Sequence, residues 1–117
     1  GEALEFSGKI VNAIGRCSRV SAPCHNDLIA ANFLQGKDRL YLLDWEYAGM
    51  GDPYVDLGNC AVNFCMDEAG CRALMKSYLG REPSPSEMAQ LHLLRVLSDL
   101  REAMWSYVQV GISTLDV

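Results

Sequence analysis

One stretch near the end leaves the chain little choice of conformation. Ser84-Pro85-Ser86-Glu87 puts a hydroxyl at the N-cap, a proline where the first helical N–H would have no partner, and a glutamate that can reach back to the cap. Behind it Ala89, Leu93, Val96, Leu97, Leu100, Met104, Tyr107 and Val108 recur every three or four residues. That spacing predicts one face of a single long helix. Most of a helix's stability in water comes from packing such a face, so the other elements must supply a surface for it.

Two further helices are expected to supply it. Asp52-Pro53 offers an N-cap and an N1 proline for a helix running to about Phe64. Asp67 caps another, with Cys71, Leu74, Met75, Tyr78 and Leu79 on its apolar side and Gly80 as its stop. Leu4, Ile10, Val11, Ile14 and Cys17 follow a helical period at the start. Residues 24–32 have no clean period and are expected to be a loop. Asn32-Phe33-Leu34 and Leu40-Tyr41-Leu42-Leu43, joined by Gln35-Gly36-Lys37-Asp38-Arg39, predict a small β-hairpin with Asp44 at the end of its second strand. The segment with Gly49, Gly51 and Pro53 is expected to be another loop. The fold class is therefore α+β, mainly helical with one hairpin.

At 117 residues there is room for a single domain. Half the residues are apolar and about a fifth charged, as in soluble globular proteins. Ten basic against fifteen acidic residues, net −5, argue against nucleic-acid binding, which draws on clustered Lys and Arg. No apolar run approaches the ~18 residues of a membrane span, and the first five residues, with no basic stretch followed by an apolar one, are not expected to be a signal peptide. The five cysteines, Cys17, Cys24, Cys60, Cys65 and Cys71, contain no C-x-x-C pair and read as reduced thiols of a cytoplasmic protein. A zinc site from Cys60, Cys65, Cys71 and a histidine is the weaker reading, because these thiols lie in helix-like stretches rather than paired loops. The absence of an initial Met and the end at Leu115-Asp116-Val117 are what a piece of a longer protein would show.

The chemistry is concentrated in His25-Asn26-Asp27-Leu28-Ile29-Ala30-Ala31-Asn32, followed by Asp44-Trp45-Glu46. Alone, Asp27 is an ordinary turn cap and Asn32 and Asp44 ordinary strand-end residues. Together, on a loop and a strand end, they offer hard oxygen ligands for Mg²⁺ and a carboxylate to orient an acceptor hydroxyl, the set that phosphoryl transfer from a nucleotide requires. H-x-D-x-x-x-x-N followed by D-x-E resembles the catalytic and metal-binding motifs of the aminoglycoside phosphotransferase and choline kinase superfamily. Leu42-Leu43-Asp44-Trp45-Glu46-Tyr47-Ala48-Gly49-Met50, Asp52-Pro53, Asp56-Leu57-Gly58-Asn59 and Leu100-Arg101-Glu102-Ala103-Met104-Trp105-Ser106-Tyr107-Val108-Gln109 with Ile112-Ser113 are similar to the choline/ethanolamine kinase family. The similarity spans residues 24–115, with little contributed by 65–87.

That resemblance implies the C-terminal lobe of a protein-kinase-like fold, and an enzyme that uses ATP and Mg²⁺ to phosphorylate the hydroxyl of choline, ethanolamine or a related amino alcohol. Asp27 would be the catalytic base and Asn32 and Asp44 the metal ligands, while His25 and Asp56 would brace the catalytic loop. Trp105 matches a tryptophan of the choline pocket; cation–π contact with a quaternary ammonium is its functional role and core packing its competitor. Glu46 and Tyr47 adjoin the metal site and are the other substrate-side candidates. No glycine-rich phosphate loop or paired lysine precedes Cys24, so the nucleotide lobe is expected to be absent and the 117-residue piece inactive alone. The face that lobe would cover is expected to favour self-association. The alternatives are a kinase for another small metabolite or an aminoglycoside, and a non-catalytic kinase-like binding module.

Overall fold

The computed structural model describes residues 1, 2, 4, 5, 8, 9, 12 and 20–115, the last three of these by backbone alone. Residues 2, 4, 5, 8, 9 and 12 are helical, and Leu4 is exposed. Ile10, Val11, Ile14 and Cys17, which carry the stripe expected there, lie outside the described residues. From Ala22 onward the order is β1 (Ala22–Cys24), a 3₁₀ turn (Ala30–Asn32), β2 (Phe33–Gln35), β3 (Leu40–Leu42), β4 (Gly49–Gly51), α1 (Pro53–Asn63), α2 (Glu68–Leu79) and α3 (Pro85–Leu115). The architecture is mainly helical with two small antiparallel sheets.

Each helix begins where its side chains satisfy the first free N–H groups. The Asp52 carboxylate accepts from Tyr54 N–H at 2.9 Å, with Pro53 opening α1. Asp67 accepts from Gly70 N–H at 2.8 Å, and α2 closes on Gly80 at φ 73°, a left-handed residue that suits glycine. At α3 the capping box is reciprocal: Glu87 N–H donates to Ser84 Oγ (3.1 Å) and Ser84 N–H to Glu87 Oε1 (2.9 Å). Arg81 clasps both Glu87 oxygens at 2.8 Å. That guanidinium, and then the Ser84 N–H, hold the Glu87 carboxyl down to about 2.

The core lies between the helices, where Ala61, Cys71, Met75, Met88 and Leu91 are buried and Tyr54, Leu57, Met66, Leu74 and Leu79 pack around them. Gly58 lets α1 and α3 meet backbone to backbone, since a Cβ there would stand 2.8 Å from the Leu94 carbonyl carbon. This close approach decides which face of α3 turns inward. The buried stripe is Met88, Leu91, Leu94 and Ser98, not the expected one. Ala89 and Val96 are exposed, Leu93, Leu97 and Leu100 only flank Leu94, and Met104, Tyr107 and Val108 lie in the open. Tyr78 of α2 is likewise half exposed rather than on the core face.

The strands add a second correction. The loop expected over residues 24–32 begins in β1, which pairs antiparallel with β4 (Ala22↔Gly51, Pro23↔Met50, Cys24↔Gly49). Pro23 is tolerated because a two-stranded ladder is all edge. The β2–β3 hairpin pairs Phe33 with Leu42 and Gln35 with Leu40, its turn closed by Gly36 N–H to Arg39 O at 2.8 Å. β3 stops at Leu42, so Asp44 stands two residues beyond the strand, at φ 60°. Cys24, Cys60, Cys65 and Cys71 are free thiols, and no helix among the described residues is long and apolar enough to cross a membrane.

Candidate active site

The polar residues of the 25–32 loop are held by partners from four other segments. Both Asp56 carboxylate oxygens, in the first turn of α1, accept backbone N–H groups at 2.7 Å, from His25 and Asn26 respectively. Asn59, one turn further on and 1% exposed, accepts from Leu28 N–H at 2.7 Å and donates to Ser98 Oγ of α3 at 3.1 Å. Asn63 donates to Leu28 O at 3.3 Å. One face of α1 thus fixes the loop backbone at His25, Asn26 and Leu28, a job that burial alone could not do for so polar a segment.

His25 is buried, and both its ring nitrogens are occupied. Nε2 pairs with Leu43 O at 2.8 Å and Nδ1 with Asp27 N–H at 3.2 Å. The Asp27 bond requires an acceptor at Nδ1, so the proton belongs on Nε2, where it is donated to Leu43. The ring also meets Trp45 edge to face at 4.7 Å, and Trp45 donates its indole N–H to Leu42 O at 2.9 Å. His25 therefore ties the residue beside Asp44 to the backbone of Asp27. Its role in this geometry is to orient, since it has no free nitrogen to move a proton.

Asn32 is buried at the end of the 3₁₀ turn. Its amide nitrogen donates to Asp27 O (2.8 Å) and Asp27 Oδ2 (3.2 Å), so it is the amide oxygen that could serve a metal. Leu43 N–H donates to Asn32 O at 2.7 Å, so the chain enters Asp44 directly from contact with Asn32. Asp27 of the loop and Asn32 of the 3₁₀ turn are in contact, and Asp44 follows in sequence the Leu43 whose N–H bonds to Asn32. Among the described residues no three His, Cys, Asp or Glu side chains gather as a closed cage. An amide oxygen plus a carboxylate is instead an open donor set that suits Mg²⁺, which takes few protein ligands and completes its shell with phosphate and water oxygens.

Beside this region opens a cavity of about 570 Å³. Asn26, Asp27, Ile29 and Tyr47 line it from the loops, and Arg101, Glu102 and Trp105 from α3. Tyr47 is anchored through its carbonyl, which accepts from Asn26 Nδ2 at 2.9 Å. Trp105 is 60% exposed and faces the cavity instead of the helical core. Glu46 occupies the adjoining turn, exposed, and is not among the cavity-lining residues. Sequence reasoning missed Arg101 and Glu102 as lining residues, although Glu102 stands three residues before Trp105 and so shares its helix face. Both terminal nitrogens of Arg101 reach Asn26 O at 3.4 Å, joining α3 to the loop.

Comparison with known proteins finds relatives over most of this chain. The Phosphotransferase enzyme family profile matches residues 12–91. Protein LicA of Haemophilus influenzae is 38% identical over 56 residues, covering 48% of this chain and 21% of that protein. Ethanolamine kinase 2 of Rattus norvegicus is 27% identical over 113 aligned residues, covering 80% of this chain and 29% of that protein. The crystal structure of a choline/ethanolamine kinase family protein from Mesorhizobium loti superposes with a TM-score of 0.88 at 29% identity, covering 96% of this chain and 38% of that one. The chain thus spans between a fifth and two fifths of the length of these relatives. A family profile over most of the chain, with a choline/ethanolamine kinase family protein as its structural counterpart, makes this protein a member of the phosphotransferase enzyme family.

Proposed function

We propose that the chain is the C-terminal, acceptor-side lobe of a small-molecule kinase that phosphorylates the hydroxyl of choline, ethanolamine or a related amino alcohol, with ATP as donor. The observation that carries this reading is the placement of Asp27. Its backbone is held by His25, its carboxylate touches Asn32, and it lines the same cavity as Tyr47 and Trp105. A loop fixed by so many directed bonds presents its carboxylate with little freedom, which is what positioning catalysis asks of a base.

In this reading the acceptor hydroxyl lies against Asp27. Its oxygen forms a bond to the terminal phosphorus as the bridging P–O bond to ADP breaks, and its proton passes to the Asp27 carboxylate. Asn32 and Asp44 would hold Mg²⁺, whose contribution is to neutralise charge across the phosphates. The cationic end of the acceptor extends toward Trp105 and Tyr47, whose ring faces attract a positive charge that has no N–H to donate. The segments that cradle the nucleotide's phosphates belong to a separate N-terminal lobe, in keeping with the short share of each relative that this chain spans. The 117 residues alone are expected to turn over negligibly.

An ATP–Mg²⁺ coupled assay on the full-length protein tests this, with choline, ethanolamine, thiamine and an aminoglycoside panel as acceptors. Turnover on choline or ethanolamine that falls at least ~10³-fold in Asp27→Ala, with the Tm unchanged, is the expected result. Turnover confined to thiamine or an aminoglycoside would keep the mechanism and discard the cationic-alcohol pocket. Turnover on none would favour a non-catalytic binding module.

A further inference from the structure

Glu102 is a group that neither the loop chemistry nor the aromatic pocket uses. It lines the same cavity as Asp27, but from α3, and shares a helix face with Trp105, one turn further along. Three charged side chains line this cavity: Asp27, Arg101 and Glu102. Arg101 is committed elsewhere, because both its terminal nitrogens are turned to the Asn26 carbonyl at 3.4 Å. Its approach to Glu102 is 4.0 Å, and that is the only ion pair of Glu102 among the described residues. The Arg101–Glu102 contact is therefore too loose to cancel the carboxylate, and the cavity keeps one negative charge more than positive.

We infer that Glu102 is the charge-recognition residue of the acceptor pocket, selecting an ammonium-bearing alcohol over a neutral one of the same shape. This rests on the phosphotransferase reading above and adds what Trp105 alone cannot do. An aromatic face attracts a cation, but it also packs well against an uncharged tert-butyl group. A carboxylate beside that face attracts only the charged head, and for a primary ammonium it also accepts N–H groups in charge-assisted hydrogen bonds. Carried by α3, whereas Asp27 is carried by the loop after β1, it draws the cation toward α3 and leaves the hydroxyl end for the base.

The test compares choline with 3,3-dimethylbutan-1-ol, in which carbon replaces the ammonium nitrogen, using the full-length protein and its Glu102→Gln and Glu102→Asp variants. The expected result is a KM for choline raised about fivefold by Glu102→Gln, with kcat within about twofold, Tm unchanged and kinetics on the neutral alcohol unaltered. The preference for choline over its neutral isostere then narrows by the same factor, and Glu102→Asp recovers part of it. An unchanged preference in Glu102→Gln would overturn the inference, as would equal losses on both alcohols accompanied by a lowered Tm, which is the signature of a packing role. If the wild-type protein phosphorylates no cationic alcohol, the proposed function falls first and this assignment with it.

Discussion

The two halves of α3 share one backbone and a similar supply of apolar side chains, yet they have opposite fates. Over residues 85–100, Met88, Leu91, Leu94 and Ser98 are buried against α1 and α2. Over residues 101–112, Met104, Trp105, Tyr107, Val108, Val110 and Ile112 are all exposed. Length explains the split. At 1.5 Å per residue the 31 residues of α3 extend about 46 Å, while the 11 of α1 and 12 of α2 extend only about 16 and 18 Å. The inner half has neighbours and becomes core. The outer half outruns them, and its Arg101, Glu102 and Trp105 line the cavity with Asp27. Helical periodicity records that a face is apolar, and only the neighbours decide whether that face is core or binding surface.

The sharpest way to break the comparison is to truncate one residue in each half. Leu91→Ala removes a fully buried side chain and should cost about 3 kcal/mol in urea unfolding. Val108→Ala, in the outer half, should change stability by less than about 0.5 kcal/mol. Equal losses would mean that the outer half packs as well as the inner.

A smaller effect lies at the start of the inner half. Arg81 and Ser84 depress the Glu87 carboxyl from 4.5 to about 2, so it stabilises the fold fully above its ordinary value and loses that contribution as pH falls from 4.5 toward 2. Glu87→Gln should lower Tm by about 3 °C at pH 7, with the gap to wild type closing over that acid range. A gap independent of pH would show that the box works by hydrogen bonding without charge.

What was legible in the sequence follows the same division between local and non-local causes. The helix starts at Asp52, Asp67 and Ser84 and the stop at Gly80 were readable because each cap is a bond within four residues. The contact of Asn32 with Asp27 was readable as a motif. The choice of inward face on α3 was not, because it is set by the approach of Leu94 to Gly58, 36 residues away in the chain. The β1–β4 ladder was hidden for a like reason: three-residue strands holding Pro23, Gly49 and Gly51 have no alternation to read. Glu102 went unsingled because the residues that share its cavity, Asn26, Asp27 and Tyr47, arrive from loops more than fifty residues earlier.

Trp105 is where the comparison can be tested most directly, being a large aromatic residue that packing and ligand binding would both claim. The measurement is the KM for choline and the Tm of Trp105→Ala in the full-length protein, side by side. If the outer half of α3 is binding surface, KM rises about tenfold while Tm stays within about 2 °C of wild type. A Tm lower by more than about 5 °C with KM unchanged would place Trp105 in the packing of the fold and contradict the account.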